Sequence, residues 1–358
     1  MNTDYPKGVC TQMCSDEEII QRQREGLLHA LEIIPGLKNG SRPIANRNRV
    51  VKEFTRSAAG RNSQNVNNLR TIGALLETIN YLLHDVITAD HVPWNVRYDF
   101  IMDRLRAVRQ DMVIQNLSRS ACISILQPIV KFYAYSAYRM CEEDVSKFDP
   151  LINRNHLQEC LKRLLCLYDE IDNLMLKAYP YVMSNSLYAK CRPFMECLYL
   201  LVNLGDTTAM TRNIHVPAMW RSTTVNDCLS ISIEAWRGNY VGVCKQIRKL
   251  PHLLAATAVL HLPYIRKQAF IKMSTAYSSR HLTFPSAVFQ NILLYNNVEE
   301  VLNDCDNYGV PISNGNIAFL KTSIHADKKE LTPRHIAFVD EILSRHSVTN
   351  LLLEDVEY

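Results

Sequence analysis

Apolar side chains recur every three to four positions through the middle of this chain, the period of a helix with one buried face. Over residues 156–179, Leu157, Leu161, Leu164, Tyr168 and Ile171 fall on one stripe about six turns long. The same spacing predicts helices over 69–85, 96–116, 120–141, 186–204, 225–237, 240–249 and 262–277, each ended by Gly, Pro or Asn. Short turns such as Trp236-Arg237-Gly238-Asn239-Tyr240 join neighbours into antiparallel pairs, without a fixed repeat length.

The texture changes after residue 284. Residues 286–295 and 298–308 read as two short helices closed by Gly309, and 310–320 as a hairpin turning at Asn314-Gly315. Helix, helix, hairpin is the order of a winged helix. A last amphipathic helix is predicted over 332–345, with Pro333 in its first turn. Residues 36–61, holding Gly36, Gly40, Pro43 and Gly60 among seven cations, predict an extended, loop-like crossing. The expected fold is all-α: an irregular helical-repeat stack ending in a winged-helix unit with a small β-hairpin. Expected boundaries are an extended N-terminal segment (1–65), the stack (66–280), the winged-helix unit (281–325), and a C-terminal helix with an acidic tail (326–358).

Composition adds little beyond a globular class: 358 residues, 47% apolar, with 11 Gly and 14 Pro, which sets aside disordered and fibrous readings. The longest apolar run, 252–265, is broken by His and Pro and is short of the ~20 residues of a membrane span. Eight charged residues in the first thirty predict no signal peptide, so membrane insertion is not expected and a nuclear or cytoplasmic location is. Eleven cysteines scattered from Cys10 to Cys305 are expected as reduced, packed thiols.

Charge distribution changes the picture more than its total of +4. Residues 235–298 hold no Asp or Glu and eight Lys or Arg, whereas 299–358 carry eleven acids against five bases. Arg266, Lys267, Lys272, Arg280 and the wing residue Lys321 are therefore the candidate surface for phosphates or for an acidic partner. The second wing helix, with Glu299, Glu300, Asp304 and Asp306, would repel phosphate and is assigned to protein contact or core support. Catalytic and phosphate-cradling motifs are missing, and no cysteine pair has a zinc-spaced partner, so the chain reads as non-enzymatic, with no cofactor or metal.

Three motifs carry a resemblance. Gly8-Val9-Cys10-Thr11-Gln12-Met13-Cys14-Ser15-Asp16-Glu17-Glu18 continues to Arg22 and Arg24; after Leu31-Glu32 and Pro35, Val50-Val51-Lys52-Glu53-Phe54-Thr55-Arg56-Ser57-Ala58-Ala59-Gly60 follows; then, past Leu69-Arg70, comes Asp103-Arg104-Leu105-Arg106-Ala107-Val108-Arg109-Gln110-Asp111. In this order they resemble the opening motifs of the Sac-three/GANP/Thp family of messenger-RNA export scaffolds, with Val9 and Ser15 standing where the family usually has Thr and Pro. The motif residues are Gly8, Cys10, Met13, Cys14, Glu18, Arg22, Lys52, Glu53, Arg56, Ala58, Ala59, Gly60, Asp103, Arg104 and Arg106.

The resemblance implies a TPR-like, PCI-like stack that pairs with a PCI-domain protein and shares with it a basic surface for RNA. It also implies a small acidic stabilising subunit and a place in nuclear messenger-RNA export. The chain is similar to short, stand-alone members, which are linked with the centrosome and spindle; the alternative expectation is a spindle-assembly factor acting through protein contacts alone. Physical chemistry assigns the motif residues to architecture. Cys10, Met13 and Cys14 serve as apolar pegs and Arg22 and Arg24 as donors, while Lys52, Glu53 and Arg56 anchor the crossing by ion pairs to the helix of Asp103 and Arg104.

Overall fold

Ser15 accepts a hydrogen bond from the Glu18 amide and Gly26 turns left-handed, and between these caps lies α1 (Asp16–Glu25), with acids in its first turn and Arg22 and Arg24 in its last. The chain then doubles back as an antiparallel hairpin, β1 (Ile33–Asn39) and β2 (Arg42–Ala45), with Asn39 opposite Arg42 and an irregularity after Ile33. The expected loop-like crossing therefore contains a hairpin. β2 buries only Ala45, so the period-two alternation that would announce a strand is missing.

This computed structural model describes residues 5–40, 42–56, 65–178 and 187–354. Downstream come α2 (Ile72–Tyr81), capped by Thr71 and continued by a π turn over Leu82–Val86, α3 (Trp94–Ile114), α4 (Arg119–Arg139) and α5 (Pro150–Ala178). Next are α6 (Leu187–Val202), α7 (Thr207–His215), α8 (Thr223–Arg237), α9 (Tyr240–Ile247), α10 (His252–Val259) and α11 (Leu262–Ala276). Then follow α12 (Ser286–Ile292), α13 (Val298–Tyr308), β3 (Ile312–Ser313), β4 (Asn316–Ile317), α14 (Ala337–Ser344) and α15 (Val348–Leu353). The class is mostly helical, with two small antiparallel hairpins. Among the described residues, no helix is long and apolar enough to cross a membrane.

Four helices escaped the periodicity. In α1 only Ile19 and Arg22 are buried, too few to form a stripe. In α10 every residue after His252 is buried, so no polar face breaks the apolar run. α15 has only six residues, and α7 buries only Ala209, Met210 and Asn213, too few apolar side chains for a stripe. The helix expected over 332–345 starts only at Ala337, leaving Pro333 outside it. The residues between are committed elsewhere: Arg334 reaches Asp304 at 3.2 Å, the His335 amide donates to Glu142 at 2.8 Å, and the Ile336 amide donates to the Tyr138 hydroxyl at 2.9 Å.

The chain divides into two compact units. The first takes Met1–Phe132, Gln158–Ala178 and Val348–Glu354. Its core joins Leu75, Ile79 and Leu82 with Ile101, Leu105 and Val108, all essentially without solvent contact. α15 packs on the 82–86 turn with Leu351 and Leu352 buried, and the Lys131 ammonium donates to the Glu354 carbonyl at 2.7 Å.

The second unit takes Tyr133–Leu157 and Tyr179–Ser347. Here α6 packs on α8, with α7 between them along the chain, and α8 packs on α9, to which the tight turn at Gly238-Asn239 joins it. Phe284 exchanges backbone hydrogen bonds with Ile317 at 2.7 and 2.9 Å, adding a third short segment to the β3–β4 hairpin. Asn314 and Gly315 both have positive φ, as a two-residue primed turn requires. Phe289 holds the unit together, its ring centroid 4.9 Å from Phe270 and 5.7 Å from Phe319.

Candidate functional site

The motif residues of the first unit converge on two buried carboxylates. Glu32, on a short turn after α1, has no solvent exposure. One of its oxygens accepts from Arg22 and from the His29 amide at 3.0 Å; the other accepts from the Val51 amide at 3.1 Å and from Arg104 of α3 at 3.2 Å. Asp111, also on α3 and also fully buried, accepts from Lys52 at 2.7 Å and from Arg70 at 2.8 Å. Two carboxylates thus face four cations, and every carboxylate oxygen has a donor. This is the condition under which buried charge is tolerated.

Backbone groups complete the node. Arg22 donates to the Val51 carbonyl at 3.1 Å, the Lys52 amide donates to Met13, and the Glu53 amide donates to Glu18 at 2.9 Å. Asp103 accepts from the Phe54 amide at 3.2 Å, and Arg106 lies over the Phe54 ring at 3.9 Å. Cys10 pairs with the backbone around Arg70, while Met13 and Cys14 are buried as apolar pegs. Gly8 donates to Gln115 at 2.8 Å, and a Cβ there would lie 2.5 Å from the Leu69 carbonyl oxygen, which explains the glycine.

Of the anchors read from sequence, Lys52 and Glu53 act as ion-pair partners of α3, Glu53 with Arg104 at 3.5 Å. Arg56 does not join them; its side chain is exposed. Arg24 is likewise exposed, paired only with its neighbour Glu25. Ala58, Ala59 and Gly60 lie outside the described residues. Glu32, Arg70 and Asp111 lie in stretches that carry the resemblance, but the sequence did not single them out as site residues. A single charge flanked by apolar neighbours, as in Leu31-Glu32-Ile33 and Leu69-Arg70, was the available signal.

The cationic candidates lie in the second unit, and they do not behave alike. Arg266 is buried, donating to the Leu293 carbonyl at 3.1 Å and the Leu294 carbonyl at 2.6 Å, with its guanidinium 3.7 Å above the Tyr295 ring. Burial lowers its pKa from the ordinary value. It satisfies the end of α12, where Leu294 is left-handed, and so leaves the list of surface cations. Lys272 is exposed but donates to the Gly238 carbonyl at 2.6 Å, closing the C-terminus of α8. Lys267 is half-buried; Arg280 and Lys321 are exposed, and the Lys321 amide donates to Ser278 at 3.2 Å, two residues from Arg280.

On the acidic wing helix α13, Asp304 is buried, accepting from the Tyr295 hydroxyl at 2.8 Å and from Arg334, and burial raises its pKa. Asn296 donates to Glu300 at 3.0 Å, while Glu299 and Asp306 face solvent. Burial also pushes the thiols of Cys160, Cys244 and Cys305 up to about 12, which keeps them protonated. Among the described residues, no three His, Cys, Asp or Glu side chains are grouped to hold a metal ion.

Similar proteins place this arrangement in a family. The chain is 24% identical over 336 residues to SAC3 family protein 1 of Schizosaccharomyces pombe, matching 90% of this chain and 32% of that protein. It is 23% identical to protein xmas of Drosophila melanogaster over 93% of its own length, and 23% identical to SAC3 family protein B of Arabidopsis thaliana over 76%, covering 16% of each relative. The chain thus spans a third or less of the relatives it matches. The SAC3/GANP family profile matches residues 13–314, from the first buried peg to the turn of the wing, and the chain belongs to the SAC3/GANP family.

Proposed function

We propose that this chain is a non-enzymatic scaffold of nuclear messenger-RNA export, which pairs with a PCI-domain partner and contributes basic residues to a shared RNA-binding surface. The observation that carries this reading is the acid-free stretch 235–298. With Arg266 withdrawn into the core, it still presents Lys245, Lys249, Lys267, Lys272 and Arg280, with Lys321 beside them in the wing. Such a surface attracts phosphates without reading sequence, and its affinity falls steeply with salt. A small acidic subunit stabilising the pair, and a distribution between nucleus and cytoplasm, belong to the same reading.

Family membership supports a scaffold role, and the buried ion-pair node supports it physically, because it fixes segments far apart in sequence. The test is binding of single-stranded RNA across a salt series, alone and with a PCI-domain partner, beside the Lys267→Glu/Lys321→Glu variant. Each lost phosphate contact should lower the slope of log affinity against log salt by about 1.

A second reading is favoured by Glu299 and Asp306, exposed where a groove-reading helix would carry cations. On it, the chain works at the centrosome and spindle through protein contacts alone. Salt-insensitive partner binding with no RNA binding in any condition would move that reading to first place.

A further inference from the structure

Among the described residues, four aromatic side chains are exposed: Tyr5, Trp236, Tyr264 and Tyr277. Three of them fall in the acid-free stretch. Single exposed aromatics are ordinary, but these are gathered. Trp236, 62% exposed, stands in the last turn of α8; Tyr264, 52% exposed, stands on the first turn of α11. Both line one recess of about 330 Å³, together with Tyr240, Gln268, Arg237 and Lys272. Tyr277 lies near enough to Tyr240 for its charge to raise the Tyr240 pKa along with burial.

The recess is built rather than accidental. Lys272 is held at its rim by the Gly238 carbonyl, and a Cβ on Gly238 would collide with that ammonium. Gly238, ending α8, and Gly205, between α6 and α7, are both left-handed; Gly205 lies against Ala235 and Trp236, and its amide donates to Ser232 of α8 at 2.9 Å. One carboxylate stands at the edge, Glu234 paired with Arg237 at 3.6 Å, and the 64 residues from 235 to 298 add none; flat aromatic faces beside cations are what a single-stranded nucleic acid requires, π-surfaces for unstacked bases and charge for the backbone.

We propose that this recess receives an unstacked base of single-stranded RNA on the Trp236 and Tyr264 rings, with Lys272 and Arg237 meeting the adjoining phosphates. The proposal rests on the RNA-binding reading above and narrows it. Paired bases do not offer their faces, so the site discriminates single from double strands; a purely cationic surface does not.

The test uses the full chain and its tryptophan fluorescence, since Trp220 is buried and Trp94 half-buried while Trp236 is open to solvent. A 12-nucleotide single strand, its duplex, and poly-glutamate as an acidic polypeptide are titrated against wild type, Trp236→Ala, Trp236→Phe and Tyr264→Ala. Because both side chains are exposed, melting temperatures should not move. The single strand is expected to quench Trp236, the duplex to quench it far less, and each alanine variant to bind the single strand roughly 5- to 100-fold more weakly with an unchanged salt slope, with phenylalanine restoring most of the loss. Salt-sensitive RNA binding with no quenching and no loss in the alanine variants overturns the stacking site and leaves the basic surface standing. Failure to bind RNA alone or with a PCI-domain partner overturns both. Poly-glutamate displacing RNA at equal charge and producing the quench itself identifies a protein-docking face instead.

Discussion

Arg104 and Glu32, 72 residues apart in sequence, meet at 3.2 Å with side chains 4% and 0% exposed. The pair closes the first unit around the N-terminal strip. Replacing the acid removes the one fully buried carboxylate that Arg22 and Arg104 share and leaves these buried guanidinium groups only the partly exposed Glu18, Glu53 and Asp103. Glu32→Gln is therefore expected to destabilise the chain by about 3–5 kcal/mol, the cost of breaking a buried pair from one side. Urea unfolding reads this as a lower midpoint at constant slope.

Gly8 gives a steric counterpart. A methyl group there would meet the Leu69 carbonyl oxygen, a backbone atom that moves only if the Cys10–Arg70 bridge moves with it. Gly8→Ala is expected to cost roughly 1–3 kcal/mol. Faster hydrogen exchange of the Cys10 and Thr71 amides, which bond across this bridge, should accompany the loss; unchanged protection would show that the strip adapts freely.

Arg266 and Lys267 are neighbours in sequence with opposite expected phenotypes. Arg266→Ala leaves the Leu293 and Leu294 carbonyls without their donor and is expected to lower stability by about 2 kcal/mol. Lys267→Glu changes a half-buried side chain on α11 and should alter RNA affinity while moving the melting temperature little. The reverse pattern would mean that the guanidinium leaves its cap when RNA binds.

This pair also marks how far the sequence could be read. Helical spacing located α2 to α6, α8, α9 and α11 to α13 because each keeps one apolar face. α10 went unseen because it is apolar on every side, and β2 because it buries only Ala45. Charge counting found the basic stretch, but it treats every cation alike; whether Arg266 faces water depends on a left-handed Leu294 that no local pattern announces. The motifs announced Arg22, Lys52 and Arg104. Glu32 and Asp111 stand in the resembling stretches too, but nothing local marks them as the acids on which these cations end, because burial of a charge is decided by chain segments far away.

Acidification offers a test of the second unit. His261, where α11 begins, places its Nε2 2.8 Å from the Leu201 carbonyl, and burial lowers its pKa from 6.5 to about 4. His252, at the start of α10, is also lowered, by burial and then by His346, whose ring centroid is 4.2 Å away. A histidine lowered by folding binds fewer protons folded than unfolded between the two values, so its stability contribution is complete above about 6.5 and is lost as the pH falls toward the folded value. For His261, which is only partly buried, that loss is on the order of 2 kcal/mol once solvent screening is allowed for. Asp304 acts in the opposite direction, since its raised carboxyl gains relative stability on protonation, and the net curve mixes the two. The His261→Gln variant separates them: its side-chain amide can still donate to Leu201 but does not titrate. Unfolding midpoints between pH 7 and pH 4.5 should fall more steeply for the wild type than for this variant, with the curves parting below about pH 6.5. Parallel curves would mean that His261 keeps an ordinary pKa in the fold.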